Sequence, residues 1–413
     1  MRRVVVTGVG MITALGTGVE KSWANLKSGK CGIKKIESFD TENASVKIAG
    51  EVTDFDATEY GIEKKELKKL ARNTQFAIVA AKMALEDAKF EITDENATSV
   101  GTIVSSGIGG MEVFEAQHKT LLNKGARRVS PFTIPGLIAN MASGNIGIYT
   151  GAKGPNKSIV TACAAGTHSI GDAFEMIKNG RVDTMIAGGT EACITEFTIA
   201  GFANMKALST RNDEPLKASR PFNSDRDGFV MGEGAGILIL EELEQAKARG
   251  AKIYAEIIGY GETCDAYHIT SPGPGGEGAA RAFEMAIKEG NIDKSTVDYI
   301  NAHGTSTPAN DRLETMAIKT VFGEHAKELA VSSTKGATGH GLGAAGGIEG
   351  VILALSINEG IMAPTINYEN PDEECDLDYV PNEARKKDIR VGMSSSLGFG
   401  GHNAVIAMKK YEN

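Results

Sequence analysis

The chain has 413 residues and a formal net charge of −9, with 41% apolar and 23% charged residues. That composition supplies two or three units of ordinary domain size with a buried core, and it argues against nucleic acid as a partner. Five cysteines (31, 163, 193, 264, 375) are scattered with no CxxC pair, which speaks against a disulfide framework and for a reducing, cytoplasmic setting.

The opening MRRVVVTGVGMITALG places two arginines before an apolar run. Glycines and threonines interrupt that run and no small-residue cleavage site follows, so it reads as a first strand rather than a leader. Its glycines fall at 8, 10 and 16, three positions too late for a dinucleotide fingerprint. Segment 63–72, EKKELKKLAR, reads as a helix with Lys65, Lys68, Lys69 and Arg72 on one face by i, i+3, i+4, i+7 spacing. Glu63 and Glu66 stand among them, so an ordinary solvated face fits as well as a docking stripe. Strands are expected at 4–9, 99–106, 158–162, 184–189, 236–242, 252–260, 297–302, 330–334, 391–396 and 404–408, with helices such as 73–88 and 164–179 between them. Several strands are nearly continuously apolar, as for strands covered on both faces, and the alternation gives an α/β layered fold. Nowhere do 18 apolar residues run together, so no membrane span is expected.

Two echoes point to an internal repeat. The helix around 80–88 precedes a strand at 99–107 just as the helix around 281–290 precedes a strand at 297–304. DGFVMGEGAGILILEE (227–242) and LGFGGHNAVIAMKK (397–410) share a Phe, a glycine-rich turn and a strand. A duplicated α/β unit with halves 1–250 and 251–413 accounts for both.

Three segments carry chemistry. In SIVTACAAGTHSIGDAFEMIKNG (158–180) a strand is expected to end at Ala162, leaving Cys163 at the start of a helix whose apolar stripe is Ile170, Ala173, Phe174 and Ile177. Unpaired N–H groups there favour negative charge and can draw a thiol toward neutrality. Taken singly, Cys163 reads first as a small buried hydrophobe, as most cysteines are. His303 in NAHGTSTPAND and Lys335 in STKGATGHGLGAAGGIE follow their own strands, and His340 lies five residues beyond Lys335. Functional groups in α/β folds gather past the carboxyl ends of strands, which raises the expectation of one shared site. A thiolate with two neutral imidazoles suits acyl transfer followed by stabilisation of an enolate. No closely spaced ligand pair suggests zinc, and no GxSxG suggests a serine hydrolase.

TACAAGTH, NAHGTSTPAND, STKGATGHGLGAAG and LGFGGHN together make the chain resemble the β-ketoacyl-acyl carrier protein synthases of the thiolase-like superfamily, over its whole length and nearest to their elongating synthase II subtype. The resemblance implies a thiolase-like fold, with two duplicated α/β halves stacked in five layers, and a homodimer. It implies an acyltransferase of fatty-acid biosynthesis that needs no free cofactor or metal, its substrates riding on the phosphopantetheine of acyl carrier protein. It makes Cys163 the acylated nucleophile and His303 with His340 the pair serving decarboxylation and condensation. Lys335 with Glu349 would orient them, and the N–H groups of Cys163 and Phe399 would form an oxyanion hole, Phe399 also gating malonyl entry. Thr305, Thr307, Thr270 and Ser271 match pantetheine contacts. Ile108, Phe202 and the partner subunit's Ile134 match the acyl pocket, while Lys65, Lys68, Lys69, Arg127, Arg128 and Lys206 match carrier-docking positions. Gly336, Ala337 and Gly341 stand where bulkier residues are usual and are expected to loosen the loop holding His340; His402 is expected to be structural. A stand-alone polyketide ketosynthase is the neighbouring alternative. A non-catalytic chain-length-factor-like subunit is another, although such relatives usually lack the nucleophile this chain keeps.

Overall fold

The computed structural model describes residues 1–412. Ten strands form one continuous ladder. The first half contributes β1 (Val4–Thr13), β2 (Val100–Ser105), β3 (Asn156–Lys157), β4 (Thr184–Glu191) and β5 (Gly234–Glu242). The second contributes β6 (Ala255–Cys264), β7 (Val297–Asn301), β8 (Ala330–Ser332), β9 (Val391–Gly398) and β10 (His402–Lys409). The order is β8-β7-β9-β10-β6-β1-β5-β4-β2-β3. Counted from its own first strand, each half reads 3-2-4-5-1, with strands 3, 2 and 4 parallel and the rest antiparallel. This identity of topology and direction bears out the duplication, and β5 and β10, the strands of the glycine-rich echo, occupy equivalent places.

Within the sheet the halves join where Val4–Val6 pair with Ala255–Ile257. Helix α1 (Arg72–Asp87) covers the outer face of the first half, and α3 (Glu277–Glu289) with α4 (Pro308–Phe322) covers that of the second. Between them α2 (Ala165–Lys178) and α5 (Ala345–Glu359) pack on each other and on strands of both halves, completing five layers. The apolar stripe expected for α2 understates its burial, because α2 and α5 both sit in the middle layer. In α5 every residue from Ala345 to Ile357 is buried. Among the described residues Leu342–Glu359 is the one stretch long and apolar enough to cross a membrane, and it is this core helix.

Glycines set the spacing of the middle layer. A Cβ on Gly236 of β5 would run into the Gly347 backbone of α5, and one on Gly166 of α2 would sit 2.7 Å from the Gly347 nitrogen. The starts of α2 and α5 therefore lie side by side, and the turn Ala162–Ala164 touches the turn Leu342–Ala344. Many glycines thus serve close helix–sheet approach as well as strand-to-helix turns.

Three local expectations are corrected. Segment 63–72 is not one helix: a single turn spans Lys64–Leu67, Ala71 is extended (φ −62°, ψ 155°), and α1 begins at Arg72. Buried Ala71 and the Arg72 N–H, which donates to Glu112 Oε1 at 2.7 Å, fix that break. Arg72 turns inward to Glu233 and the Val52 carbonyl, while Lys65 pairs with Glu63 and Lys69 with Glu66, so the four cations share no helical face. Next, 158–162 is not a strand. Only Asn156–Lys157 pair with β2, because the Ser105 hydroxyl accepts the Ile159 N–H at 2.8 Å and the chain then leaves the sheet edge. Finally, the small residues at 336, 337 and 341 do not leave the His340 loop loose. The His340 N–H donates to the Val230 carbonyl at 2.7 Å, and its carbonyl accepts from the Gly232 N–H at 2.9 Å.

Candidate active site

Cys163 lies in a 3₁₀ turn, Ala162–Ala164, directly before α2. Ala162 adopts φ +50°, a left-handed conformation unusual for a residue with a Cβ, and this turns the chain sharply into the helix. The β9–β10 turn carrying Phe399 rests on the same spot, since a Cβ on Gly398 would sit 2.7 Å from the Thr161 carbonyl oxygen. The backbone N–H groups of Phe399 and of Cys163 itself favour the charged form of the Cys163 sulfur.

Opposite stand the two histidines. His303 leaves the end of β7 and His340 precedes α5, with ring centroids 5.2 Å apart and the planes at 87°. Phe229 meets His340 edge-on at 5.3 Å. The Lys335 ammonium donates to the His303 carbonyl at 2.6 Å and pairs with Glu349; both side chains are about 2% exposed. The lysine thus braces the His303 loop from behind. Burial pushes Glu349 up to about 7 against the pull of that ammonium.

Burial also drives both imidazoles well below their ordinary value, with the Lys335 charge acting the same way. The Cys163 thiol is pushed up to about 12 by burial, opposed by Lys335 and the two N–H groups. The expectation of a thiol drawn toward neutrality is therefore not met: desolvation outweighs the helix end. The resting site is a neutral thiol beside two neutral imidazoles, and the thiol proton must leave as the sulfur attacks. A pH profile checks this. The kcat/KM of acyl transfer is expected to hold its pH 8 value within about two-fold down to about pH 6, because neither imidazole charges at its ordinary pKa of about 6.5. A steep fall centred there contradicts it.

Cys163, His303, His340 and Phe399 line one cavity of about 510 Å³. Thr305, Thr307, Thr270, Ser271, Ile108, Phe202 and Lys206 line it too. The Thr305 and Thr307 hydroxyls hydrogen bond at 2.9 Å, and the Phe202 ring stands 5.5 Å from Phe229 and 6.4 Å from Phe399. Ile134 is not in this cavity; it is 61% exposed on a short helix, Thr133–Leu137. Lys65, Arg127 and Arg128 lie on the surface, and Lys68 and Lys69 line a separate cleft.

Sequence reasoning missed two buried carboxylates. Glu314 of α4 accepts the N–H groups of His303 and Gly304, each at 2.8 Å, and the Ser395 hydroxyl at 2.7 Å, which fixes the His303 loop. Glu191 at the end of β4 accepts the Ser106 hydroxyl at 2.6 Å and the N–H groups of Gly107 (2.7 Å) and Gly343 (3.0 Å), tying together loops from both halves. The one available signal was the lone acid of TMIAGGTEAC; Glu314 in DRLETMAI, three residues after Asp311, carried none.

A cysteine at the foot of one central helix, facing paired imidazoles beside the foot of its twin, defines a thiolase-like protein with a Cys-His-His site. Residues 1–246 match the model for "Beta-ketoacyl synthase, N-terminal domain", and 254–369 match its C-terminal counterpart. The chain belongs to the β-ketoacyl synthase family. It is 56% identical over 411 residues to the "3-oxoacyl-[acyl-carrier-protein] synthase 2" proteins of Synechocystis sp. and Staphylococcus aureus, covering 100% of this chain and 99% of each relative. It also resembles a solved type II polyketide synthase ketosynthase held in complex with its acyl-carrier protein, with a TM-score of 0.90 at 37% identity, covering 99% of this chain and 100% of that one.

Proposed function

We propose that this chain is an elongating β-ketoacyl-acyl carrier protein synthase of fatty-acid synthesis. It takes an acyl group onto Cys163 and condenses it with malonyl-acyl carrier protein, giving a β-ketoacyl product two carbons longer. The observation that carries the reading is the meeting of Cys163, His303 and His340 in one cavity, which Phe399 also lines.

The sulfur attacks the acyl thioester as its proton passes to a neutral imidazole, and the N–H groups of Cys163 and Phe399 take the oxyanion charge. Collapse forms the Cys163 thioester and releases the carrier's pantetheine thiol with that proton. Malonyl-carrier then enters past Phe399. Loss of carbon dioxide leaves the electron pair as an enolate, whose oxygen is held by N–H donors of His303 and His340. The enolate carbon attacks the acyl carbon, the new carbon–carbon bond forms, and the Cys163 thiolate departs and takes up one proton from solvent, the proton that the decarboxylative reaction consumes overall. Lys335, braced by Glu349, holds the His303 loop, and Thr305, Thr307, Thr270 and Ser271 hold the pantetheine arm. No step calls on a free cofactor or metal. Five free thiols support a reducing, cytoplasmic setting. Ile108 and Phe202 line the acyl channel. The exposed Phe132, Ile134 and Ile138 support a homodimer in which the partner subunit's Ile134 closes that channel.

Steady-state assays with malonyl-carrier protein across acyl lengths test the reading: fatty-acyl carriers are expected to give β-ketoacyl product with one carbon dioxide each. Turnover only with polyketide starters would favour the polyketide alternative, and no turnover a non-catalytic subunit. Carrier docking is assigned to Lys206 at the cavity, with Lys65, Lys68, Lys69, Arg127 and Arg128 as an outlying basic surface. Lys206→Glu is expected to raise the KM for acyl-carrier protein about ten-fold and leave that for a carrier-free acyl thioester within about two-fold. An unchanged carrier KM removes Lys206 from the docking surface.

A further inference from the structure

We propose that His168 is a positioning residue for the nucleophile, holding the turn from Thr161 to Ala164 in the conformation from which Cys163 attacks; this rests on the condensing-enzyme reading above. The turn needs an external hold. Ala162 is left-handed, and neither the 3₁₀ turn nor α2 has a side-chain cap at its start. His168 reaches back from α2 and supplies the hold. Its Nδ1 lies 2.9 Å from the Thr161 hydroxyl and 3.0 Å from the Ala164 carbonyl oxygen, bracketing Cys163 on both sides. A carbonyl only accepts, so Nδ1 carries the hydrogen and the other ring nitrogen does not in the neutral ring.

The ring is fixed from its far side by the second half of the molecule. Its Nε2, which carries no hydrogen, makes no hydrogen bond to the Glu262 carboxylate 3.6 Å away; that carboxylate instead accepts the Tyr260 hydroxyl at 2.9 Å and holds the Tyr260 ring in place. Tyr260 and His402 each meet the ring edge-to-face, with centroids 6.4 and 6.3 Å away. His402 opens β10 directly after the Phe399 turn, and a Cβ on Gly400 would sit 3.1 Å from its ring. One buried imidazole therefore touches the turn holding the sulfur and the neighbour of the turn supplying its second N–H group. A ring that merely filled space would need a donor at neither point.

Single-turnover acylation of Cys163 by acyl-carrier protein tests this, read alongside the KM for the carrier. His168→Leu is expected to slow acylation at least about ten-fold with the KM within about two-fold, since only the geometry of attack is lost. His168→Asn, whose amide places an N–H near the Nδ1 position, is expected to recover to within about three-fold of the wild type. Thr161→Val, nearly isosteric, is expected to slow acylation about three-fold and carries the test should His168→Leu not fold. Acylation at the wild-type rate in His168→Leu or Thr161→Val overturns the proposal, as does equal loss in His168→Leu and His168→Asn. A wild-type protein that is never acylated refutes the condensing-enzyme reading itself.

Discussion

Cys163→Ala is expected to lower condensation by a factor on the order of 10⁴ or more while leaving malonyl-carrier decarboxylation measurable. The split follows from where the groups stand. The sulfur forms the acyl thioester, whereas the enolate develops against His303 and His340, which the substitution leaves in place. The converse variants divide the reaction the other way. His303→Ala and His340→Ala are expected to accept an acyl group on Cys163 yet lose decarboxylation about 10²- to 10⁴-fold, because each removes a donor from the developing enolate. Carbon dioxide release and β-ketoacyl formation, followed separately, check both. Equal loss of both activities in Cys163→Ala would deny the division of labour.

Lys335→Met is expected to destabilise the fold by about 3–5 kcal/mol and to reduce condensation together with it. The ammonium is buried, paired with Glu349 and bonded to the His303 carbonyl, so its removal leaves a carboxylate in apolar surroundings and frees the loop. Lys335→Met with Glu349→Leu removes both charges. That pair is expected to regain most of the stability, because buried ion pairs exchange for apolar packing at little net cost, but not the activity, because the brace on His303 stays absent. Urea unfolding and the condensation assay, run on both variants, separate the two effects. A stable but inactive single variant would show that the ion pair does not hold the fold.

Much of the fold was legible because its signals are local. Nearly continuous apolar strands such as VVVTGVG and GILILEE announced a sheet covered on both faces, and the Phe-Gly-rich echo marked β5 and β10 as equivalents. The site was legible through motifs at strand and helix ends: Cys163, His303, Lys335 and His340 meet because duplication lays α2 and α5 side by side. What escaped was tertiary in origin. The helix expected at 63–72 breaks because Arg72 is drawn inward by Glu233 and Glu112, partners far along the chain. The strand expected at 158–162 gives way because Ser105 and Ser158 hydroxyls take the place of a ladder. Glu191 and Glu314 were invisible because a carboxylate that caps backbone N–H groups from a distance leaves no spacing pattern. The raised Cys163 thiol was misjudged for a related reason, as the helix start can be read locally while the depth of burial cannot.

Peptide mass spectrometry after incubation with acyl-carrier protein tests the central claim most directly. One acyl group is expected on the peptide containing Cys163, and it should disappear when malonyl-carrier protein is added and β-ketoacyl product forms. An acyl group on another cysteine, or condensation with Cys163 unmodified throughout, would contradict the account.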